Sequence, residues 1–317
     1  MDNSRVNAIS RGQFLRSAGL ITVGLMFVPR EIFAQTSPVI TITNEAAKSP
    51  ITVETLRGNI HVLQGSGGNI AVFNGAEGKL MVDAGITVSK EKIVAAMAKI
   101  SNQPLKYLIN THWHFDHADG NEWIHNAGAK IIAHENTKKN LSRTIRVKDW
   151  DYTFKPHSRA GLPEEVFHQN HSLKFNGENI QMRHYRLAHT DSDISVYFPN
   201  ADVLHVADTW WNNYYPFIDH DTGGNVDGMI KACEQNLTVT TDKTIIIPGH
   251  GAVGNKGQLR EFRDMLATVK ERVSKLKKEG KTMKETIAAK PTANFDAKFG
   301  QFVVDGAFFT RLVYADV

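Results

Sequence analysis

The stretch Thr111-His112-Trp113-His114-Phe115-Asp116-His117 packs four potential metal ligands into six residues and runs into the turn residues Asp119-Gly120-Asn121. In an extended segment, residues two apart point to the same side, so His112 and His114 can converge on one cation. Asp116 and His117 come where the strand breaks and can be turned toward a second. Imidazole nitrogen with a carboxylate is the donor set zinc prefers, and iron, manganese or nickel accept it less selectively. A chain built around such a cluster has to deliver it from a strand into a polar turn.

The surrounding sequence supplies strands of the right kind. Residues 51–56, 60–63, 69–73 and 80–83 are β-branched and apolar runs separated by glycine-rich turns, which argues for an antiparallel meander after a loop that begins at residues 36–38. Ile93, Met97 and Ile100 recur at helical spacing, and that helix leads into the strand 105–109 that carries the His/Asp cluster. A second β-rich block, residues 172–207, mirrors the first and is followed by a helix over 227–237. Farther on, Leu259, Phe262, Leu266, Val269, Val273 and Leu276 recur in steps of three and four with Arg260, Arg263, Lys270 and Glu271 between them, an amphipathic helix with a solvated charged face. Phe302, Phe308, Phe309, Leu312 and Tyr314 anchor a last helix on the core. The blocks imply an α/β (α+β) chain in which two sheets pack face to face with helices outside.

Three more polar residues stand at the ends of apolar runs. His189 follows the alternating residues 180–185 and precedes a polar loop, where either a ligand or a surface histidine fits. Asp208 ends the buried-strand pattern 203–207, so its carboxylate needs a cation or hydrogen-bond donors to offset desolvation, unless it caps the next turn. His250 follows Thr244-Ile245-Ile246-Ile247 and lies between Gly249 and Gly251, where missing side chains let backbone approach a ligand closely.

Taken together, Thr111–His117 and the segments Leu187-Ala188-His189-Thr190, Val206-Ala207-Asp208-Thr209 and Ile247-Pro248-Gly249-His250-Gly251 resemble the metallo-β-lactamase superfamily in ligand type and order, over roughly residues 50 to 255. The resemblance implies an αββα sandwich of two mixed sheets flanked by helices, with the metals at one edge. It implies that His112, His114 and His189 hold a first ion, that Asp116, His117 and His250 hold a second, and that Asp208 bridges the two. Two zinc ions are expected, with iron or manganese as substitutes. No lysine lies in the first turn beyond Asp208, whereas a major subclass of true β-lactamases has cysteine at that ligand position and a carboxylate-binding lysine after it. An aspartate there looks more like the lactonase and glyoxalase-II-like branches.

Composition narrows the partners. The 317 residues are 41% hydrophobic and 22% charged, enough to bury one large core, and the formal charge of +4 is not a nucleic-acid signature. Residues 1–34 hold four basic and two acidic side chains, so a chain starting at Gln35 carries about +2. The single cysteine, Cys233, excludes an internal disulfide and a cysteine-based zinc site and reads as a buried core thiol. Arg5, Arg11 and Arg16 precede an apolar run, 18–28, too short to span a bilayer and suited to a signal peptide. Cleavage after Ala34 would leave residues 35–317 as one hydrolase domain in a bacterial periplasm or secreted, with no stable membrane insertion. Residues 10–16 resemble a twin-arginine signal with Gly12 in place of the second arginine, so Tat-like and Sec routes both stand.

The chemistry expected of such a site is hydrolysis. Metal-held water ionises near neutral pH and attacks a carbonyl or phosphoryl centre, with Asp116 orienting the nucleophile and moving its proton. Thr111, His184 and His205 are candidates for fixing ligand tautomers, with ordinary structural hydrogen bonding as the alternative. Trp210, Trp211, Tyr214 and Tyr215 follow Asp208 in an apparent loop and are expected to form an aromatic wall for a small-molecule substrate. Residues 142–170 read as a lid over the site or a plain connection. A lactone, ester or thioester is the expected substrate. β-Lactam opening is the alternative, followed by phosphodiester cleavage or iron-dependent redox chemistry, and a purely structural metal site is disfavoured by the open coordination positions.

Overall fold

The central strands are buried along nearly their whole length, so both faces of each sheet must be covered, and this decides the layers. The computed structural model describes residues 37–317, which form one unit; the signal peptide read at residues 1–34 lies outside the described residues. The first sheet begins with β1 (Thr52–Thr55), β2 (Ile60–Gln64), β3 (Ile70–Gly75) and β4 (Gly78–Val82), an antiparallel meander. It continues in parallel through β5 (Leu105–Asn110) and β6 (Lys130–His134). A separate two-stranded ribbon, β7 (Ile145–Val147) and β8 (Tyr152–Phe154), precedes β9 (Glu165–Phe167), which closes the seven-stranded sheet. The second sheet has five strands in sequence order: β10 (Asn170–Phe175), β11 (Glu178–His184), β12 (Ile194–Phe198), β13 (Val203–Trp211) and β14 (Ile245–His250).

Ile60, Val62, Phe73, Leu80 and Ile109 of the first sheet meet Ile180, Met182, Val196, Phe198 and Ile247 of the second in one buried cluster. The opposite face of the first sheet, with Leu63, Ile70, Val72, Met81 and Leu108, is covered by Ile93, Ala96 and Met97. The outer face of the second, Leu204, Val206 and Ile246, is covered by residues from three later helices. The helices used below are α1 (Pro38–Lys48), α2 (Lys90–Ile100), α3 (Phe115–Ala118), α4 (Val226–Val239), α5 (Lys256–Lys278) and α6 (Gly306–Asp316). Layering is therefore αββα, with α2 on one side and α4, α5 and α6 on the other. Each half repeats one device: antiparallel hairpins, then a helical crossover to a parallel strand, α2 between β4 and β5 and α4 between β13 and β14.

Several expectations need correction. Residues 38–48 are helical where a loop was expected: Ser37 is the N-cap and Pro38 occupies the first turn, where its fixed φ and missing N–H cost nothing. Residues 142–170 are not a plain connection, since they form the β7–β8 ribbon and lend β9 to the first sheet. Trp210 and Trp211 end strand β13 rather than sitting in a loop.

The amphipathic reading of α5 predicts a sharp contrast in stability. Leu266 is fully buried against the second sheet and Glu271 is exposed on the same helix. Leu266→Ala should lower the unfolding free energy by about 3 kcal/mol, and Glu271→Ala by less than about 0.5 kcal/mol, as read from urea denaturation.

Candidate metal centre

Strand ends and glycine turns bring the seven candidate side chains together. β5 stops at Asn110, so His112 and His114 converge from an irregular turn and not from an extended strand. His114 is the N-cap of α3, and that turn of helix carries Asp116 and His117. His189 comes from the loop after β11, and His250 ends β14. Asp208 lies within β13 just past Ala207, whose positive φ of 46° marks an irregularity in the pairing with β14. The result is two adjacent groups, His112, His114, His189 and Asp208, and Asp116, His117 and His250, each with ligand atoms within 4.8 Å of one another.

Outer contacts fix which nitrogen each imidazole offers. Thr111 Oγ1 donates to Asp83 at 2.7 Å and lies 3.0 Å from His112 Nδ1, so it accepts that N–H and leaves Nε2 as a lone pair. His114 Nε2 lies 3.0 Å from Asp219 Oδ2, His117 Nδ1 lies 2.8 Å from Asp83 Oδ2, and His189 Nδ1 lies 2.7 Å from the Phe217 carbonyl. Each partner can only accept, so each imidazole donates outward and turns its bare nitrogen inward. His114 Nδ1 and His189 Nε2 then face each other at 2.8 Å, a contact between two acceptors that needs a proton or a cation between them. His112 Nε2, His117 Nε2, His250 Nε2 and Asp208 Oδ1 are buried without a hydrogen-bond partner among the described residues, although His117 Nε2 and Asp208 Oδ1 are only 3.0 Å apart. Buried polar atoms left in this state are costly unless something else satisfies them. Four nitrogen and carboxylate donors on one side and three on the other fit a pair of zinc-like ions with coordination positions to spare.

The electrostatics agree. Burial opposes ionisation of Asp208, but His117, His250 and His189 outweigh it and hold the carboxyl well below the usual carboxylate range. Asp116 is held down in the same way, burial being overcome by His117 and His250. Burial drives His189 down to about 4 and His112 well below its ordinary value, the neutral form a metal ligand requires. Burial also disfavours a charged His250, yet Asp208 and Asp116 raise it to about 9, and His117 is likewise lifted well above its ordinary value against burial by Asp208, Asp116 and Asp83, so a cation entering here would displace a proton from each.

Glycines set how close the backbone comes. A Cβ on Gly249 would fall 1.8 Å from Asp208 Oδ1, one on Gly68 would fall 2.2 Å from His117 Cε1, and one on Gly67 would fall 2.5 Å from Asp116 Cβ. Gly249 thus plays the part its sequence position suggested, whereas Gly67 and Gly68 were not singled out.

Of the other expectations, Thr111 does touch His112, while His205 acts one step removed, its Nδ1 accepting the Ala207 N–H at 3.2 Å just before Asp208. His184 is elsewhere, stacked on His134 at 3.6 Å. The aromatic stretch divides. Trp210 is core, and Tyr215 is buried with its ring stacked on Phe309 at 4.8 Å and its hydroxyl donating to Asp296 at 2.9 Å, so neither can line a wall. Trp211 stays beside the site, 4.2 Å from His250 between ring centroids. Tyr214 is half-buried near it and touches Phe302.

Asp83 and Asp219 were missed. Asp83 ends the apolar residues 80–82, the same signal that exposed Asp208, and its φ of 66° turns the carboxylate back onto Thr111 and His117. Asp219 follows Phe217-Ile218 and had no comparable local pattern. Trp150 was only one member of the 142–170 segment; its ring stacks on Phe217 at 4.4 Å and lies 4.9 Å from His114, covering that ligand. Charges clasp this cover: Lys148 pairs with Asp221 at 2.9 Å, Arg311 with Asp149 at 2.7 Å, and His220 with Asp316 at 3.0 Å and Asp149 at 3.9 Å.

With this geometry in place, comparison with known proteins assigns the family. The family model of the metallo-beta-lactamase superfamily matches residues 63–253, and the chain belongs to that superfamily. It is 23% identical over 251 residues to a linear primary-alkylsulfatase from Pseudomonas sp. (strain ATCC 19151), covering 67% of this chain and 47% of that protein. It is also 23% identical over 179 residues to the metallo-beta-lactamase IND-1 of Chryseobacterium indologenes, covering 56% of this chain and 69% of that protein. Among solved structures, the stereoselective inverting sec-alkylsulfatase Pisa1 from Pseudomonas sp. superposes with a TM-score of 0.65 at 16% identity, over 83% of this chain and 50% of that one. The DIM-1 metallo-beta-lactamase superposes with a TM-score of 0.56 at 18% identity, over 69% of this chain and 98% of that one. The chain spans about half the length of the alkylsulfatases it matches.

Two predictions follow from the outer contacts. Gly68→Ala should drive His117 off its position and cut bound metal from about two equivalents to about one, the loss expected when a site drops below its normal donor count; elemental analysis still finding two would remove His117 from the ligand set. His220 is pushed down by burial but raised to about 9 by Asp149 and Asp316. A raised histidine stabilises the fold fully below its unfolded value of about 6.5, and the gain disappears as pH rises through about 9. His220→Gln should therefore cost about 1–2 kcal/mol at pH 6, after discounting for solvent screening, and almost nothing at pH 10, as read from thermal or urea unfolding at the two pH values.

Proposed function

We propose that this chain is a metal-dependent hydrolase of small ester-like molecules, with a carbonyl ester, lactone or thioester as the bond cleaved. The observation that carries the reading is the convergence of His112, His117 and His250 Nε2 and Asp208 Oδ1, buried and unpartnered among the described residues, on a centre that keeps a little exposure at Asp116, Asp208 and His250. His112, His114, His189 and Asp208 would hold one zinc-like ion and Asp116, His117 and His250 the other, with Asp208 reaching both groups: its Oδ2 is 3.3 Å from His189 Nε2 and 3.4 Å from His250 Nε2. Bound metal supplies Lewis acidity and water that ionises near neutral pH.

The chain's own residues do the rest. Asp116 directs Oδ2 toward His250 at 3.3 Å and His117 at 3.7 Å, which leaves Oδ1 to take a proton from the attacking water and pass it to the leaving group. Asp83, Asp219 and the Phe217 carbonyl keep His117, His114 and His189 in their working tautomers. Trp150 and Trp113 pack against His114 and exclude water from that side. Among the described residues no lysine or arginine forms an ion pair with any of the seven, which suits a neutral carbonyl substrate better than an anionic one.

A second reading, cleavage of an alkyl sulfate ester, is favoured by one finding: the alkylsulfatase likeness extends over 83% of this chain, against 69% for the DIM-1 lactamase. Export through the leader read at residues 1–34 belongs to the same proposal, and a native protein beginning near Gln35 on N-terminal sequencing would support it, whereas an intact Met1 would not.

Assay of the metal-loaded protein on lactones, carboxylic esters, thioesters, alkyl sulfates, β-lactams and phosphodiesters tests the reading. Turnover of a carbonyl ester or lactone that chelation abolishes is expected; preference for a sulfate promotes the second reading, and preference for a phosphodiester or survival of activity under chelation defeats both. Asp116→Asn and His114→Ala should each lower kcat by at least about a hundredfold, the scale of lost general-base or Lewis-acid assistance.

A further inference from the structure

The seven candidate ligands are not equally enclosed. His112, His114, His117 and His189 have no exposed surface, while Asp116 and His250 retain 4% each, so the path from solvent opens on the Asp116–His250 side. The ring next to that opening is Phe302, 6.0 Å from His250 and 6.1 Å from Trp211 between centroids. Tyr214 lies 5.0 Å from Phe302 on the same side. Phe302 is 37% exposed, which sets it apart from the neighbouring Phe299 and Phe309, both buried. It does not anchor the last helix as its sequence position suggested, because it precedes α6 in a non-helical stretch. Trp211 adds a polar feature: its indole Nε1–H is buried and has no acceptor among the described residues.

We propose that Phe302, Tyr214 and Trp211 form a subsite for an apolar alkyl or aryl group attached to the bond being cleaved, and that Phe302 is its specificity-determining residue. Phe302 and the half-buried Tyr214 offer an apolar contact at low conformational cost beside the accessible Asp116–His250 edge, with the buried Trp211 ring as the floor between them and His250, and an alkyl group laid on the two exposed rings removes both surfaces from water. The unpartnered Trp211 N–H suits an oxygen of the same substrate, since an aromatic ring with a polar tip serves ligands that are apolar at one end. Phe302 lies beyond the matched residues 63–253, so the substrate preference would come from a segment outside the part that marks the family. The inference rests on the ester-hydrolase reading for the attached group, but its binding test does not need turnover.

The test is calorimetric titration of the metal-loaded protein with acetate, butyrate, hexanoate and octanoate, alongside kcat/KM for the matching esters. Affinity should rise about threefold to fourfold per added methylene until the rings are covered, the gain expected for burying each CH2. Phe302→Ala should weaken octanoate binding at least about tenfold and lower the octanoyl-to-acetyl ratio of kcat/KM by a similar factor. Phe302→Leu should stay within about threefold of wild type, because it keeps an apolar side chain there. Trp211→Phe should weaken every carboxylate of the series by a common factor without changing the dependence on chain length. Affinity that does not vary with chain length, or a chain-length dependence that Phe302→Ala leaves intact, overturns the subsite. Chain-length-dependent binding without ester turnover keeps the subsite and defeats the ester reading alone. Should Phe302→Ala fail to fold, the Phe302→Leu and Phe302→Ser pair makes the same comparison.

Discussion

Imidazole nitrogens stripped of water and aimed at one another are the constraint on which the rest of this structure depends. His114 Nδ1 and His189 Nε2 meet at 2.8 Å, and three further imidazole nitrogens and a carboxylate oxygen end in the same buried space without partners. Left alone, that arrangement would cost several kcal/mol, since each buried unsatisfied group forfeits about 1–3 kcal/mol of hydration. A chain that maintains it must hold every ring by its other nitrogen. The carboxylates of Asp83 and Asp219, the Thr111 hydroxyl and the Phe217 carbonyl do this for His117, His114, His112 and His189, and three of those groups lie on segments with no sequence proximity to the rings they hold. The two sheets serve that end, because β4 brings Asp83, β5 brings the His/Asp cluster, and β13 and β14 bring Asp208 and His250 to one edge.

What the sequence made legible followed from local periodicity and from chemistry packed closely along the chain. Apart from β9, the strands of both sheets could be read as short apolar or alternating runs between turn residues, and α2, α4 and α5 as helices, α2 and α5 from apolar residues recurring every three or four positions. His112, His114, Asp116 and His117 announced themselves by density, and Asp208 and His250 by polarity at the end of an apolar run. Asp83 carries that last signal as plainly as Asp208, yet a lone carboxylate after a strand is equally a turn residue until its partner is known, and its partners Thr111 and His117 are 28 and 34 residues away.

Other features depended on tertiary contacts with no local trace. Ser37-Pro38 reads as loop punctuation, but Pro38 occupies the first turn of a helix packed beneath Trp150, to whose carbonyl Ser37 Oγ donates at 2.6 Å. The stretch from Trp210 to Tyr215 looked like one aromatic wall because composition cannot tell which face a ring takes. β13 runs on to Trp211, and Trp210 is committed to the core before the chain turns. Phe302 erred in the opposite direction: grouped with the aromatics that anchor the last helix, it precedes that helix and is 37% exposed.

The glycines around the centre have a consequence for how such a protein can change. At Gly67, Gly68 and Gly249 any side chain at all would strike Asp116, His117 or Asp208, so that wall admits no variation without disturbing the ligands. On the other side of the centre, Tyr214 and Phe302 border solvent, and exchanging either side chain need not move a ligand. Heritable change is therefore channelled: one flank is frozen by contact with the ligands, and the other can be sampled residue by residue. A lineage on this scaffold would be expected to diversify from the rim that faces solvent inward.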